Sequence, residues 1–280
     1  MRYPPPQRKK PKMKLNEAVE LLTRAGIENA RAEARMLFSE IGGANYATLL
    51  TSNPEYDDQR LVSAIMRRCE REPLQYILGE VEFYRESYKV TTDCLIPRSD
   101  TEILVDYAVK NLPSGAKFLD LCTGSGCVAI STLKNTENTT AVAIDISEAT
   151  LLLAIENAER AGVADRLTAK IADVLSTVED GDFYAVLSNP PYVTEKAYAA
   201  LEPEIYREPK IAFVGGVDGM DFYKRIIPAY KDKINENGFI AFEIGYDQGE
   251  AILSLAAEHS MTCEIIKDLS GLDRVAILKR

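Results

Sequence analysis

The segment Ser188-Asn-Pro-Pro-Tyr-Val193 carries residues suited to holding an amino group. It directly follows an apolar run, 183–187, that is typical of a buried strand. Asn189 offers a side-chain oxygen, and Pro190 offers a backbone carbonyl that is held rigidly because both prolines have a fixed φ. These two acceptors would grip the hydrogens of an NH2 group, and Tyr192 adds a flat face for a planar amide or base.

This pair of acceptors suits methyl transfer to a planar nitrogen, whose lone pair is delocalised and poorly nucleophilic. Two acceptors would orient the nitrogen and favour a more pyramidal, positively charged transition state. We therefore predict that Asn189, Pro190 and Tyr192 are catalytic. The alternative is that the two prolines only terminate a strand.

A glycine loop, 120–126, leads from another apolar run into a helical pattern. Gly124 and Gly126 let backbone amides approach a ligand at the carboxyl end of a sheet, and Asp145 can bind a ribose at the end of the next run. The loop alone fits both NAD and S-adenosylmethionine. Carboxylates at three successive strand ends, Asp120, Asp145 and Asp173, favour the cationic S-adenosylmethionine, although each aspartate could instead form only a turn or helix cap.

The elements that would position these motifs form an α/β domain. Short apolar runs alternate with helical patterns from residue 100 onward, which is typical of a parallel sheet covered by helices. The turn 270–273 is too short for a parallel crossover, so the last two strands should form an antiparallel hairpin. The seven predicted strands are 117–122, 140–146, 166–174, 183–188, 238–245, 262–269 and 274–280.

The part of the chain before this domain predicts a small helical bundle of four or five helices, because apolar residues recur there at helical spacing. The stretch 81–93 is rich in aromatic and β-branched residues and predicts a β-hairpin between two domains. We therefore expect a basic Pro-rich, disordered tail (1–12), a helical domain (13–75), a β-hairpin linker (76–98) and a catalytic domain (99–280).

Composition narrows the class of protein. The net charge is −10, and the first 14 residues carry six basic side chains and no acidic ones, so subtracting those six leaves −16 for the rest of the chain. Such a balance disfavours nucleic acid as a substrate. No apolar run suggests a membrane span or a signal peptide, and we expect a cytoplasmic protein. The five cysteines form no CxxC pair, and only one histidine is present, so we expect no metal site.

Seven segments in this order resemble the peptide chain release factor N5-glutamine methyltransferases, the HemK or PrmC family. The glycine loop by itself is generic, but the whole set is specific and covers nearly the whole chain. Only the basic start, 1–12, lies outside the resemblance. The segments are NARAEARMLF (29–38), REPLQYILGEVEFY (71–84), IPRSDTE (96–102), DLCTGSG (120–126), SNPPYV (188–193), EPKIAFVGGVDGMDFYKRII (208–227) and FEIGYDQGE (242–250).

The resemblance implies a Rossmann-like, seven-stranded methyltransferase domain that uses S-adenosylmethionine and releases S-adenosylhomocysteine. Members of this family methylate the side-chain amide of the glutamine in the Gly-Gly-Gln motif of class I release factors and so modulate translation termination. The implied partners are therefore class I release factors, with no membrane and no nucleic-acid substrate. The N-terminal helical domain is implied to help recognise the release factor.

The resemblance also implies roles for individual positions. Asn189 contacts both the cofactor and the substrate, and Cys122 stands where the family usually has glycine. Ser99 stands where proline is common. The implied cofactor contacts are Cys122, Thr123, Gly124, Ser125 and Gly126 at the methionine end, Asp145 at the ribose, and Asp173 and Val174 at the adenine. The implied glutamine-binding residues are Asn189, Pro190, Pro191 and Tyr192, with Ile96, Pro97 and Thr101 also lining the site.

Three other functions remain to be weighed against this one. An adenine-N6 methyltransferase of DNA or RNA can use the same Asn-Pro-Pro-Tyr motif, but it needs a basic face or a target-recognition domain. In a binding module without catalytic activity we would expect some of the motif residues to be replaced, whereas Asn189 to Tyr192, Gly124, Gly126 and Asp145 are all present. A dehydrogenase would need a general acid or base near the glycine loop, and none is evident there.

Overall fold

The computed structural model describes residues 12–280, and its internal contacts divide them into two compact units. The first unit ends at Gly79, and the second runs from Glu80 to Arg280. The predicted basic tail, 1–12, lies outside the described residues except for Lys12. Among the described residues, no helix has the length and apolar character that crossing a membrane requires.

Five helices surround an apolar core in the first unit, which confirms the predicted helical bundle. The first helix buries Leu15, Ala18 and Leu22, which recur at helical spacing on one face. A two-stranded ladder that the sequence pattern did not predict pairs β1 with β2. The helices are α1 (Leu15–Arg24), α2 (Ala30–Glu40), α3 (Tyr46–Thr51), α4 (Gln59–Cys69) and α5 (Leu74–Leu78), and the strands are β1 (Met13–Lys14) and β2 (Glu55–Tyr56).

The end of α5 sets the boundary between the units. Gly79 has φ +83°, a left-handed conformation that glycine adopts readily, and it ends the helix. The boundary predicted between residues 75 and 76 therefore falls inside α5, whereas the contacts divide the chain after Gly79.

A hairpin opens the second unit and packs against it. Its strands are β3 (Glu80–Phe83) and β4 (Glu86–Lys89). Phe83 and Tyr88 are buried in a core cluster of the second unit, and the side chain of Asn157 bonds to both backbone groups of Lys89. The hairpin expected in the linker 76–98 thus belongs structurally to the second unit.

A seven-stranded sheet forms the centre of the second unit, in the order β10-β11-β9-β8-β5-β6-β7. Strands β5 to β9 are parallel, and the last two form an antiparallel hairpin. This arrangement confirms the predicted α/β fold and its terminal hairpin. The strands are β5 (Lys117–Leu121), β6 (Thr140–Asp145), β7 (Leu167–Ile171), β8 (Phe183–Ser188), β9 (Ile234–Glu243), β10 (Thr262–Lys267) and β11 (Asp273–Lys279).

Helices cover both faces of this sheet. In β5, the neighbours Phe118 and Leu119 pack into different apolar clusters, because successive side chains of a strand point to opposite faces. One cluster includes residues of α6, α7 and α8, and the other includes residues of α10 and α11. The helices are α6 (Glu102–Asn111), α7 (Cys127–Lys134), α8 (Glu148–Ala161), α9 (Glu195–Tyr198), α10 (Asp221–Tyr230) and α11 (Gly249–Glu258).

Candidate functional site

A cavity of about 300 Å³ opens at the carboxyl ends of four neighbouring parallel strands of the second unit. Parallel strands present their carboxyl ends at one edge of a sheet, which is where ligands of such folds bind. The segments after these strands therefore share one wall. The wall residues that follow them are Cys122 and Gly124 after β5, Asp145 to Ser147 after β6, Ala172 to Leu175 after β7, and Asn189 and Pro191 after β8.

The glycine loop after β5 is held close to the next strand and the next helix. Gly124 has φ +56°, and its backbone N–H donates to Asp145 Oδ2 at 3.0 Å. Gly126 has φ +82°, and a Cβ there would lie 2.8 Å from Ile130 Cδ1 and 3.0 Å from Ala154 Cβ. Gly126 therefore permits close packing between helices, while Gly124 faces the cavity.

Asp145 presents a carboxylate with unused acceptor capacity to the cavity. Its Oδ2 accepts from Gly124 N, and its Oδ1 accepts from Ser147 N at 3.1 Å. Burial raises the pKa of Asp145, while these backbone donors oppose that shift. Each carboxylate oxygen can accept more than one hydrogen bond, so the pair can still hold two neighbouring hydroxyl groups.

Cys122 adopts a left-handed conformation, with φ +59°. This conformation costs a residue with a side chain about 1 to 2 kcal/mol and costs glycine little. The side chain contributes to the cavity wall, and burial raises the pKa of its thiol well above the ordinary value. Cys122 thus adopts a backbone conformation that favours glycine, and its thiol is neutral.

Three predicted cofactor contacts within the loop do not form part of the cavity wall. They are Thr123, Ser125 and Gly126, of which the first two are almost fully buried. Thr123 Oγ1 donates to Asp120 Oδ2 at 2.6 Å, and Ala129 N donates to the same oxygen at 3.1 Å. Burial raises the pKa of Asp120 to about 7. Asp120 therefore braces the loop, and the expectation that it faces a cationic ligand is wrong.

The segment after β8 is held on both sides by backbone bonds. Val193 N donates to Phe213 O at 2.8 Å, and Gly215 N donates to Val193 O at 3.0 Å. A Cβ on Gly215 would lie 2.3 Å from Pro191 O, so the two backbones could not approach so closely with any other residue. Gln248 Nε2 donates to Tyr192 O at 3.1 Å. The Asn-Pro-Pro-Tyr path is thus fixed by partners from two other segments.

Asn189 faces the cavity with one end of its amide already occupied. Its Nδ2 donates to Thr101 Oγ1 at 3.1 Å, which leaves Oδ1 available as an acceptor. Pro191 also lines the cavity, whereas Pro190 is buried and outside the wall. Tyr192 lies outside the wall as well, since its partly buried ring packs against the core and its hydroxyl donates to Glu243 Oε1 at 3.2 Å. The expectation that the Tyr192 ring faces the substrate stays a prediction.

Charge on the described cavity wall has one sign. Four carboxylates line it, from Asp93, Asp145, Asp173 and Asp221, and the wall includes no lysine, arginine or histidine. A pyrophosphate of NAD would meet only repulsion there, whereas the sulfonium and ammonium of S-adenosylmethionine would be attracted. The donor set and its charge therefore fit S-adenosylmethionine. Asp173 also forms a turn, because its Oδ1 accepts from Leu175 N at 2.9 Å.

The sequence patterns missed part of the wall and the residue behind it. Asp93 and Cys94 enter from the segment after the hairpin, Ile211 enters from the stretch after α9, and Phe222 enters from the first turn of α10. Irregular segments give no periodic signal, so spacing alone could not place them. Glu243 did give a signal, because a carboxylate within the apolar run 238–245 is unusual for a buried strand.

Comparisons with known proteins agree with this geometry. Residues 14–79 match the model of the PrmC N-terminal domain, and residues 99–208 match that of the Methyltransferase small domain. A release factor glutamine methyltransferase of Geobacter sulfurreducens is 37% identical over 261 residues, which are 91% of each chain. One of Thermodesulfovibrio yellowstonii is 35% identical over 89% of this chain and 92% of its own.

The solved structure of a methyltransferase from Pyrococcus furiosus superposes with a TM-score of 0.51 at 18% identity. The match covers 68% of this chain and 86% of that one. At this identity the likeness bears on the fold alone, and it agrees with the seven-stranded domain.

Proposed function

Since the chain belongs to the release factor glutamine methyltransferase family, we propose that it methylates the glutamine of the Gly-Gly-Gln motif in class I peptide chain release factors. The methyl group comes from S-adenosylmethionine, and the acceptor is the side-chain amide nitrogen, N5. The products are S-adenosylhomocysteine and a methylated release factor, whose activity in translation termination is thereby modulated. The observation that carries the proposal is the orientation of Asn189, whose Nδ2 is tied to Thr101 while its Oδ1 is left for a substrate.

The cofactor is held along the carboxyl edge of the sheet. Asp145 would accept the ribose hydroxyls, Gly124 and Cys122 would flank the methionine end, and Asp173 and Val174 would flank the adenine; all five residues line the cavity. When bound, S-adenosylmethionine supplies an electrophilic methyl group on a positively charged sulfur. The carboxylates of the wall favour that charge, which is why a cationic methyl donor suits this cavity.

The substrate amide is held by acceptors. Asn189 Oδ1, which lies at the cavity wall, accepts one hydrogen of the glutamine NH2 group. The Pro190 carbonyl is proposed to accept the other, although Pro190 lies outside the described wall, while Pro191 and Tyr192 hold the segment in place. As the N–C bond forms, the nitrogen loses conjugation and gains positive charge, which strengthens both hydrogen bonds. The bound cofactor would supply the methyl group and keep the electron pair of the sulfur–methyl bond, and the nitrogen would then lose one proton to water.

The first unit is proposed to help recognise the release factor. Its support is the match of residues 14–79 to the PrmC N-terminal domain, together with the near full-length relatives. The domain limits proposed for the whole chain follow the structure, with the helical unit ending at Gly79 and the hairpin joined to the catalytic unit.

The test is transfer of a labelled methyl group from S-adenosylmethionine to a purified class I release factor. Two controls run beside it: the same factor with the Gly-Gly-Gln glutamine replaced, and duplex DNA. Label on the intact factor alone is the expected result. Label on DNA, or on the factor without the glutamine, would contradict the proposed acceptor.

A further inference from the structure

A buried chain of hydrogen bonds leads from Asn189 away from the cavity. Asn189 Nδ2 donates to Thr101 Oγ1 at 3.1 Å, and Thr101 Oγ1 donates to Glu243 Oε2 at 2.5 Å. Thr101 is 1% exposed and Glu243 is 2% exposed, so water does not compete for either group. The three residues come from β9, from the segment after β8 and from the turn that precedes α6, so their meeting depends on the fold.

While Glu243 is ionised, the chemistry of these groups fixes the direction of the chain. An ionised carboxylate only accepts hydrogen bonds, and both oxygens of Glu243 are used, Oε2 by Thr101 and Oε1 by Tyr192. The hydroxyl of Thr101 has a single hydrogen, which goes to Glu243. Thr101 Oγ1 can therefore only accept from Asn189, so the NH2 end of the Asn189 amide must face it.

We infer that Glu243, acting through Thr101, is a positioning residue that holds the Asn189 side-chain amide with its oxygen toward the substrate. This inference rests on the proposed function for the identity of the acceptor. An asparagine amide is nearly symmetric in shape, and a reversed Asn189 would present NH2 to the NH2 group of the glutamine. The reversed site would lose an acceptor and would favour a carboxylate over an amide. Glu243 thus sets the selectivity for a primary amide.

Other groups around Glu243 support its placement. Tyr223 OH donates to the backbone oxygen of Glu243 at 2.9 Å, which fixes the end of β9. Arg274 lies near enough for its charge to lower the pKa of Glu243, while burial is the largest effect and raises that pKa. The Glu243 carboxylate therefore accepts a hydrogen bond on each oxygen inside the protein, as a buried polar group requires.

The first experiment needs no methyl acceptor. The side-chain amide of Asn189 is followed by NMR in protein labelled with 15N-asparagine and saturated with S-adenosylhomocysteine, and its signals are assigned by their loss in Asn189→Ala. We expect solvent exchange of these protons to be slow in the wild type and in Thr101→Ser, and about tenfold faster in Thr101→Val. Equal exchange in Thr101→Val and the wild type would overturn the inference.

The second experiment measures methyl transfer to the release factor. Thr101→Val should lower kcat by about tenfold to a hundredfold, with the affinity for S-adenosylmethionine unchanged within about threefold. Thr101→Ser keeps the hydroxyl and should stay within about threefold of wild-type kcat. The matched control is Thr132→Val, because Thr132 is fully buried in α7 and its hydroxyl has no hydrogen-bond partner among residues 12–280. A similar loss in Thr132→Val would mean that the effect is one of packing.

A double-mutant cycle tests the role of Glu243 itself. Glu243→Gln gives Thr101 a donor in place of an acceptor and so permits the reversed chain. If Glu243 acts through Thr101, Glu243→Gln should lower kcat about tenfold in the wild type but by less than about twofold in Thr101→Val. If the losses of kcat in the two single variants multiply in the double variant, the two residues act independently and the inference is contradicted. Glu243→Gln also serves in the NMR experiment if Thr101→Val does not fold.

The two proposals fail in different ways. A wild-type enzyme that does not label the release factor would contradict the proposed function, while the NMR result would still decide the orientation of Asn189. Suppose instead that the wild type labels the release factor normally and that solvent exchange of the Asn189 amide protons is unchanged in both Thr101→Val and Glu243→Gln. The proposed function would then stand, and the role of Glu243 would be overturned.

Discussion

The carboxylate of Asp145 accepts a hydrogen bond from the backbone N–H of Gly124 at 3.0 Å, across two neighbouring strand ends. The residue proposed to bind the ribose therefore also holds the loop proposed to bind the methionine end of the cofactor. The two parts of the cofactor site are coupled through one side chain, and its removal should affect both.

Asp145→Ala should weaken the binding of S-adenosylmethionine by about tenfold to a hundredfold, because hydrogen bonds to a charged group are lost together with the brace on Gly124. Isothermal titration calorimetry measures the change. Asp165→Ala serves as control, since Asp165 is an exposed acidic residue outside the cavity wall. Unchanged affinity in Asp145→Ala would mean that another residue contacts the ribose.

Asn189→Ala should lower kcat at least about a hundredfold while the affinity for S-adenosylmethionine stays within about threefold. The side chain is proposed to act on the methyl acceptor in the transition state, and the cofactor has other contacts. Single-turnover methylation and calorimetry separate the two effects. Asn111→Ala, an exposed change in α6, should leave both values as in the wild type. Near wild-type turnover in Asn189→Ala would refute the acceptor mechanism.

The left-handed backbone of Cys122 predicts an unusual order of stabilities. Cys122→Gly should be more stable than Cys122→Ala by roughly 0.5 to 1 kcal/mol, because only glycine adopts φ +59° without strain. Chemical denaturation of the two variants measures the difference in free energy of unfolding. At Cys263, within β10, the order should be reversed, since glycine weakens a strand. If the alanine variant were the more stable one at both positions, the backbone of Cys122 would be unstrained.

The raised pKa of Asp120 predicts that the free energy of unfolding falls as the pH rises. Its pKa is raised from 3.8 in the unfolded chain to about 7 in the folded protein by burial, so the folded state binds the proton more tightly. The contribution is fully present below pH 4 and is lost between about pH 4 and pH 7. Asp120→Asn cannot titrate, so its free energy of unfolding should decline less than that of the wild type over this range. Parallel curves for the two proteins would contradict the assigned pKa.

The periodic parts of the chain could be predicted well from sequence, and the reasons are physical. Apolar runs mark buried parallel strands, and turn length decides whether two strands are parallel, so the seven strands and the terminal hairpin were found. The parallel topology also predicts that the motifs lie at the carboxyl edge of the sheet. Strand ends were less certain, and β9 begins at Ile234, four residues before the predicted 238.

The direction in which each side chain points could not be read from the motifs. Thr123 and Ser125 belong to the glycine loop, yet both are buried, and Thr123 Oγ1 donates to Asp120. Asp120 lies near the end of β5 and Asp145 is the last residue of β6, but only Asp145 reaches the cavity. Tyr192 turns toward Glu243, a partner 51 residues further along the chain, and local sequence contains no information about such a distant contact.

The carboxylates of the cavity wall have a consequence for turnover. Methyl transfer converts a positively charged sulfonium into a neutral thioether, so the spent cofactor carries one positive charge fewer than the fresh one. The four aspartates attract the fresh cofactor more strongly than the spent one, and salt reduces that difference. The charge of the wall therefore favours binding of the fresh cofactor over the spent one, and this preference should be largest at low ionic strength.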